Sequence, residues 1–337
     1  MIDFRSDTVT KATPEMLQAM TSAAVGDDVF EDDPTVNALE EKAAKLFGME
    51  AALFCPSGTM TNQIAIKVHT QPGQEVICHE LSHIYNYEGG GIAFNSGCSV
   101  RLLRGDQGRF TSEMVEEAIN PDDPHFPISS LVSIENTCNK GGGVTWDLSE
   151  IASISATARD AGLKMHLDGA RLFNALVATG HSPKDYGLNF DTISICLSKG
   201  LGCPIGSLLL GDKTMMKQAR RVRKVFGGGM RQAGYVAAAG IFALEIHIER
   251  LAEDHSKAKM LADGLVDCSW IERVLEPETN IVVAELKEGK HQNDFLEVLS
   301  RKNILAVNFG KGKVRFVTHL DISSNQIDET LNVFRSI

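Results

Sequence analysis

The chain has 337 residues, which is enough to bury a substantial core and to form more than one domain. Its formal net charge of −11 and its pI near 5.4 disfavour polyanionic partners, so the composition argues against nucleic acid and anionic membrane surfaces as ligands. The sequence does not begin with a basic segment followed by an apolar core and contains no apolar run of about 18 residues, which predicts a cytoplasmic protein without membrane spans.

Helix-like and strand-like segments alternate between residues 34 and 212. The segment "DPTVNALEEKAAKLFG" places apolar residues on one helical face, with Pro34 near its start and Gly48 at its end, and predicts an amphipathic helix. The short apolar segments that read as strands are "AALFC", "EVIC", "VRLL", "SLVSIE", "KMHLD", "TISICLS" and "SLLLG". Helical patterns such as "DLSEIASISATARDAG" and "ARLFNAL" lie between several of them, which predicts an α/β fold with a mostly parallel sheet covered on both faces.

The pattern changes after Gly240. The segment "IFALEIHIERLAEDHSKAKMLADGLVD" predicts one long helix, and the order strand, strand, helix, strand, strand, helix follows it. We therefore expect a large α/β domain over residues 1–245 and a small α+β domain over residues 246–337. The first dozen residues should lie near the cleft between the two domains.

The seven cysteines lie at irregular spacing in mostly apolar surroundings, without a Cys-x-x-Cys pair. We interpret them as reduced core thiols rather than as disulfides or zinc ligands, because a free cysteine packs as a small apolar residue.

Two charged residues follow strand ends, where ligands bind in open α/β sheets. Lys199 follows "TISICLS", and Asp168 ends "KMHLD". Taken singly, Lys199 could extend from a sheet edge into solvent, and Asp168 could cap the helix that begins "GARLFNAL". Burial, however, favours the neutral amine that forms a Schiff base, and pyridoxal phosphate (PLP) needs both such a lysine and an acid that keeps its ring nitrogen protonated. The pair therefore predicts a PLP site.

The segment "LFCPSGTMTNQ" offers a place for the cofactor phosphate. Ser57, Gly58 and Thr59 stand between a strand and a helical pattern, and the N-terminus of a helix binds anions, although the same residues also suit an ordinary turn. The motifs GxGxxG at a βα turn, GxxxxGK[ST] and GxSxG are missing, so dinucleotide-binding, P-loop and α/β-hydrolase interpretations lack their main support.

With these residues, His83, "HLDGAR" and "SKGLGCPIG" in this order, the chain resembles the threonine aldolases, PLP-dependent enzymes of the aspartate aminotransferase fold (fold type I). Further matching motifs cover nearly the whole chain: "DFRSDTVTKATPEM", "GDDVFEDDPTVNALE", "IENTCNKGGG", "GGGMRQAG" and "VRFVTH". The resemblance implies a homotetramer, arranged as a dimer of dimers, with active sites shared across a subunit interface.

The resemblance also implies roles for single residues. Lys199 is similar to the lysine that holds the cofactor, and Asp168 to the partner of its ring nitrogen. His83 is similar to the histidine that stacks on the ring near the substrate hydroxyl, and His125 resembles a second active-site histidine. Without the resemblance, both histidines would read as loop residues.

Three residues, Ser6, Arg171 and Arg315, are similar to the family's clamp for the substrate carboxylate, and Arg171 also lies among the expected cofactor contacts. A guanidinium fork matches a carboxylate bidentately. Arg231 resembles a residue that binds the cofactor phosphate or lies at a subunit interface. The basic run "KQARRVRKVFGG" before it reads as a solvated helix face rather than a nucleic-acid patch.

The sequence departs from the family pattern at three positions. Phe30 stands where a tyrosine is usual, Cys138 where a histidine is common, and Cys203 in place of a small alanine. The first change removes a hydroxyl that would lie near a neighbouring subunit's active site. None of the three touches the Lys199 and Asp168 pair.

The implied activity is cleavage of L-threonine or L-allo-threonine to glycine and acetaldehyde. Another PLP reaction on the same scaffold, β-elimination or transamination, would use the same lysine and aspartate and remains an alternative. A cofactor-binding regulator would usually add a DNA-binding or partner domain, and the pattern predicts none. The expected partner is a small amino-acid substrate.

Overall fold

The computed structural model describes residues 1–337. Its strands are β1 (Ile2–Asp3), β2 (Ala51–Cys55), β3 (Glu75–His79), β4 (Ser99–Leu103), β5 (Ser129–Glu135), β6 (Lys164–Gly169), β7 (Thr192–Cys196), β8 (Ser207–Gly211), β9 (Ile271–Val274), β10 (Ile281–Leu286), β11 (Ile304–Leu305), β12 (Val307–Asn308) and β13 (Lys313–Val317). Its α-helices are α1 (Pro14–Thr21), α2 (Pro34–Phe47), α3 (Gly58–His69), α4 (His83–Asn86), α5 (Ser112–Ala118), α6 (Leu148–Asp160), α7 (Leu172–Thr179), α8 (Pro183–Asn189), α9 (Lys213–Val225), α10 (Gly234–Ile246), α11 (Leu251–Leu265), α12 (Gln292–Arg301) and α13 (Ser324–Ser336).

A seven-stranded sheet forms the centre of the molecule, in the order β2-β8-β7-β6-β5-β3-β4. Strand β8 pairs antiparallel with both of its neighbours, and all the other pairs are parallel. Because helices cover both faces, the strands β3, β7 and β8 are buried along their whole length, and β7 and β8 carry apolar runs instead of alternating residues. The predicted strands and the mostly parallel sheet are confirmed.

Local sequence signals explain where helix α2 begins and ends. The side chain of Asp33 accepts hydrogen bonds from the first turn of α2, Pro34 opens that helix, and Gly48 ends it in the left-handed conformation, with φ of +65°. This agrees with the predicted amphipathic helix.

A second, antiparallel sheet lies in the C-terminal part, in the order β12-β13-β10-β9. Its hydrophobic core includes Ile2 and Phe4 from the N-terminus, and β1 pairs in parallel with β11. The N-terminal strand is therefore anchored to the C-terminal unit, and the residues that follow it lead toward the central sheet. The domain boundary at residue 245 stays a prediction.

The single long helix predicted after Gly240 is wrong. Helix α10 ends at Ile246 and helix α11 begins at Leu251, because the two helices pack mainly against different hydrophobic cores. Helix α10 packs on α1 and α2, whereas α11 packs most on α13 and also on β10 and α7. In the turn between them, the His247 ring bonds to the Leu201 carbonyl oxygen (Nδ1 to O, 2.7 Å).

All seven cysteines are free and buried, as expected for core thiols. No helix combines the length and the apolarity that a passage through a lipid bilayer requires.

Candidate active site

Lys199 lies in a tight loop just beyond the carboxyl end of β7. The loop folds back on itself, because the Leu197 N–H donates to the Gly206 carbonyl (3.0 Å) and the Gly202 N–H donates to the Lys199 carbonyl (2.8 Å). Gly202 and Gly206 have φ of +76° and +115°, conformations that favour glycine. The glycines after Lys199 thus let the chain turn closely around a half-buried lysine.

Asp168 lies at the carboxyl end of β6, the strand next to β7, and is 2% exposed. Its Oδ1 accepts the Ala170 N–H at 3.2 Å, but its Oδ2 is buried without any hydrogen-bond partner. Asp168 does not cap the next helix, since the N-cap position of α7 is Arg171. A buried carboxylate oxygen without a partner is costly, and it marks a place where a ligand donor fits.

His83 and Asp168 come together with a residue that sequence reasoning missed, Glu88. A ring nitrogen of His83 and one carboxylate oxygen of each acid lie within 4.8 Å of one another, close enough to hold a metal ion. The side-chain amides of Asn62 and Gln63, however, already donate to the two Glu88 oxygens at 2.8 and 2.6 Å. Glu88 follows His83 by only five residues, and this short spacing was the only feature of the sequence that could have indicated its contact with His83.

The hydrogen bond to Glu88 determines which nitrogen of the His83 ring carries a hydrogen. A carboxylate only accepts, so the His83 Nδ1, 3.0 Å from Glu88 Oε1, carries the hydrogen and Nε2 is left for another contact. Burial lowers the pKa of His83, but the hydrogen bond to Glu88 and the charge of Asp168 outweigh burial and raise this pKa above its usual 6.5.

A network of buried side-chain hydrogen bonds holds Glu88 in place. Asn62 donates to Glu88, so its Oδ1 must accept from His166 Nε2 at 3.1 Å. His166 Nδ1 is then the acceptor for the Thr192 hydroxyl at 2.9 Å. Burial lowers the pKa of His166 to about 3, so this ring is neutral, as its two contacts require.

A second missed acid, Glu135, ends β5 and lies opposite Asp168 in the parallel register. Burial and the nearby Asp168 carboxylate raise the pKa of Glu135 to about 7, against the lowering effect of the Asn139 and His83 backbone N–H groups. A carboxylate at a strand end is the same signal that pointed to Asp168, and it could have indicated Glu135 as well.

The predicted phosphate cradle is the N-terminus of α3. The Ser57 hydroxyl accepts the Met60 N–H at 3.2 Å, and the exposed residues Ser57 and Thr59 flank Gly58 at the start of the helix. A side chain at Gly58 would approach the Ser207 hydroxyl and Cys196, on the two strands that pair beside it. The helix start therefore lies against β7, the strand that leads to Lys199.

Arg171 is already engaged by a residue that sequence reasoning did not assign, Asp7. Two parallel hydrogen bonds of 2.7 Å join their side chains, which are 6% and 0% exposed. Burial raises the pKa of Asp7, but Arg171 and then Lys199 outweigh it and lower this pKa to about 2. This influence places Lys199 near Asp7, at the end of the N-terminal segment.

Arg315 keeps part of its guanidinium free. Its Nη1 donates to Asn139 Oδ1 (2.8 Å) and its Nη2 to the Arg5 carbonyl (3.0 Å), while its Nε is buried without a partner. Burial first, and then the charge of Arg171, lower the pKa of Arg315 to about 10. The Ser6 hydroxyl caps the short turn that starts at Asp7 by accepting the Thr8 N–H at 3.2 Å.

Two predicted residues are not joined to this cluster within the chain. The His125 side chain is 85% exposed in a surface loop, where its Nδ1 bonds to Asp123 Oδ1 at 2.7 Å. Arg231, whose side chain is 59% exposed, pairs with Asp27 at 2.9 Å and lies 6.0 Å from the Phe30 ring centroid. The roles expected for His125 and Arg231 stay predictions.

The residues present fit pyridoxal phosphate. A half-buried lysine, a buried carboxylate oxygen that lacks a donor, and a helix N-terminus surround one region at the carboxyl ends of β6 and β7. The three features match the aldehyde, the ring nitrogen and the phosphate of this cofactor.

Comparisons with known proteins identify the family. The family model described as "Beta-eliminating lyase" matches residues 3–288. The low specificity L-threonine aldolase of Escherichia coli strain K12 is 42% identical over 100% of this chain and 99% of its own length.

Solved structures share the fold. Leishmania major threonine aldolase superposes with a TM-score of 0.86 at 22% identity, covering 100% of this chain and 99% of its own. A serine palmitoyltransferase variant from S. paucimobilis, with PLP and myriocin bound, gives a TM-score of 0.76 at 17% identity, covering 100% of this chain and 86% of its own. The fold is thus that of PLP-dependent enzymes of fold type I, and the chain belongs to the beta-eliminating lyase family and, within it, to the low-specificity L-threonine aldolases.

Proposed function

We propose that this protein is a PLP-dependent aldolase that cleaves L-threonine and L-allo-threonine to glycine and acetaldehyde. The observation that carries the proposal is the buried carboxylate of Asp168. Its Oδ2 has no hydrogen-bond partner, and one of its oxygens lies within 4.8 Å of a ring nitrogen of His83, the candidate base. Full-length similarity to low-specificity L-threonine aldolases supports the same reaction. The family model is named for β-elimination, but the full-length relatives are named threonine aldolases, so the comparisons favour aldol cleavage over β-elimination and transamination.

Three groups of residues would hold the cofactor. Lys199 offers the amine, Asp168 Oδ2 accepts the ring N–H, and the start of α3 at Ser57, Gly58 and Thr59 receives the phosphate. When bound, PLP supplies a protonated ring that accepts the electron pair left on Cα after a bond to this carbon breaks.

The substrate carboxylate would bind at Arg315. Its unpartnered Nε can donate to one carboxylate oxygen, and the Ser6 hydroxyl is the next donor in this region. The fork of Arg171 is taken by Asp7, so Arg171 acts chiefly by fixing the N-terminal segment that carries Ser6. By fixing the carboxylate, Arg315 would orient the substrate's Cα and so would select the Cα–Cβ bond for cleavage.

His83 would act as the general base. Glu88 holds its Nδ1–H, so the Nε2 lone pair is available for the proton of the β-hydroxyl group. As this proton leaves, the hydroxyl-bearing carbon becomes the carbonyl carbon of acetaldehyde, and Cα takes up a proton to give glycine. Because His83 must be unprotonated for this step, its raised pKa shifts the active form to higher pH than an ordinary imidazole would need.

The test is incubation of the PLP-loaded protein with L-threonine, L-allo-threonine and the two D-isomers. Acetaldehyde is measured with alcohol dehydrogenase and NADH, and glycine by amino-acid analysis. Equal amounts of acetaldehyde and glycine from an L-isomer support the proposal. Release of ammonia and a 2-oxo acid without acetaldehyde would instead identify a β-eliminating enzyme.

We also propose that the protein works as a homotetramer, a dimer of dimers with shared sites, in the cytoplasm. Phe30, which is 70% exposed, and the neighbouring Arg231 lie outside the site of their own chain and are available to a second subunit. Seven unpaired cysteines suit a reducing compartment. Light scattering coupled to gel filtration measures the assembly, and a monomer with full activity would contradict shared sites.

A further inference from the structure

Glu135 joins two segments that are far apart in the sequence. Its Oε2 accepts the His83 backbone N–H at 2.8 Å, and its Oε1 accepts the Asn139 backbone N–H at 2.9 Å. The residue is 8% exposed and ends β5, inside the motif "IENTCN". One buried carboxylate therefore accepts one backbone hydrogen bond on each of its oxygens.

Each of the two donors carries a group that the proposed reaction uses. The first donor is the backbone of His83, the proposed base. The second is Asn139, whose side-chain Oδ1 accepts from Arg315 Nη1 at 2.8 Å, so it holds the proposed carboxylate anchor. The path from base to anchor runs through His83, Glu135, Asn139 and Arg315, and three hydrogen bonds of 2.8 to 2.9 Å make it up.

Glu135 itself is held firmly. Its backbone carbonyl accepts the Trp146 indole N–H at 2.9 Å, and Trp146 is 1% exposed. Its strand pairs with β6 in register, with Glu135 opposite Asp168. The side chain thus extends from a fixed point of the sheet beside the proposed cofactor partner.

We propose that Glu135 is a positioning residue for the aldol cleavage, which sets the placement of His83 relative to Arg315 by accepting one backbone hydrogen bond from each of their two segments. This inference rests on the proposed function. It assigns Glu135 no contact with substrate, since both of its oxygens are used by the backbone.

A carboxylate is the group that this role requires. In its ionised form, above its pKa of about 7, Glu135 presents two acceptor oxygens and no donor, so it satisfies two N–H groups at once. A glutamine keeps the length but replaces one oxygen with an NH₂ group, which faces a backbone N–H and repels it. An aspartate keeps both oxygens but is one methylene shorter, so it cannot reach both donors from the same strand position.

The experiment compares the holoenzymes of the parent, Glu135→Gln and a matched control, Glu80→Gln. Glu80 follows β3 at the same edge of the sheet, but its side chain is 40% exposed and its Oε2 accepts from the exposed Arg104. The readouts are kcat and KM for L-threonine, the dissociation constant of glycine from the absorbance of the bound cofactor, and the thermal unfolding midpoint.

We expect Glu135→Gln to lower kcat by up to about 100-fold, because a displacement of about 1 Å has an effect of this size on the rate, and to weaken glycine binding at the same time. The control should keep the parent values. A purely structural role predicts a lower unfolding midpoint with unchanged kcat and glycine affinity per folded enzyme, and that result would overturn the proposal.

A double-mutant cycle with Arg315→Ala separates the effect of Glu135 on His83 from its effect on Arg315. In the Arg315→Ala background, Glu135→Gln should no longer weaken glycine binding, because the anchor is already gone, but should still lower kcat through His83. If the two substitutions weaken glycine binding independently, Glu135 does not act through Arg315 and the proposal fails. Glycine binding is read without turnover, so a parent that binds glycine but does not cleave threonine would refute the proposed function, while the effect of Glu135 on Arg315 would still be tested by glycine binding.

Discussion

The buried pair of Asp7 and Arg171 gives the most quantitative prediction for stability. Asp7→Asn keeps the size of the side chain but leaves the Arg171 guanidinium, 6% exposed, without a counter-charge. Removing one partner of a buried ion pair costs about 3–5 kcal/mol. We therefore expect the free energy of unfolding to fall by about this amount. The substitution leaves Asp168 and Lys199, the site residues at the ends of the central strands, in place.

The pH dependence of this pair follows from its pKa. Because the pKa of Asp7 is lowered from 3.8 to about 2, the charged pair contributes about 2 kcal/mol to stability. In the range between these two values the unfolded chain binds the proton more readily than the folded one. The contribution is therefore complete above pH of about 4 and is lost as the pH falls through about 2.

Urea unfolding of the holoenzyme, followed by circular dichroism at fixed protein and PLP concentrations, measures the effect. The control is Asp3→Asn, which removes the partner of Arg5 in the same N-terminal segment. The side chains of that pair are 24% and 50% exposed, so the control should lose less than about 1 kcal/mol. If Asp7→Asn loses no more stability than Asp3→Asn, the reasoning about the buried pair is refuted.

Four further predictions concern activity. Asp168→Asn should fold and bind PLP but lose several orders of magnitude in kcat, measured as acetaldehyde release, and a rate near that of the parent would exclude its role at the ring nitrogen. Arg315→Ala should raise KM for L-threonine and, if it also orients the bond, lower kcat; unchanged steady-state kinetics would contradict the anchor. His83→Phe should retain the cofactor spectrum but lose about 10²–10⁴-fold in rate and much of the preference between threonine and allo-threonine. In the parent, the rate should fall as the pH drops through a pKa above 6.5, since the raised pKa of His83 sets the acid limb, and an acid limb that persists in His83→Phe would assign it to another group.

Much of the fold was predictable because its signals are local. Strands buried on both faces show as short apolar runs, and proline and glycine mark the ends of α2. The placement of Asp168 and Lys199 at the ends of neighbouring strands was predictable as well, since the carboxyl ends of parallel strands meet at one edge of a sheet, while their roles stay predictions.

The remaining features depend on contacts between distant segments. Glu135 bonds to the His83 backbone across 52 positions, and Asp7 pairs with Arg171 across 164. Neither pairing leaves a mark in the local pattern. The break between α10 and α11 was also hidden, because both helices continue a helical pattern and only their packing on different cores separates them.

The central claim is that Lys199 holds the cofactor covalently, and borohydride reduction tests it most directly. The PLP-loaded protein is treated with sodium borohydride and digested, and the peptides are identified by mass spectrometry. We predict that the cofactor mass is attached to the peptide that contains Lys199, and that Lys199→Ala shows neither this adduct nor acetaldehyde release. Attachment of the cofactor to a different lysine in the parent would contradict the claim.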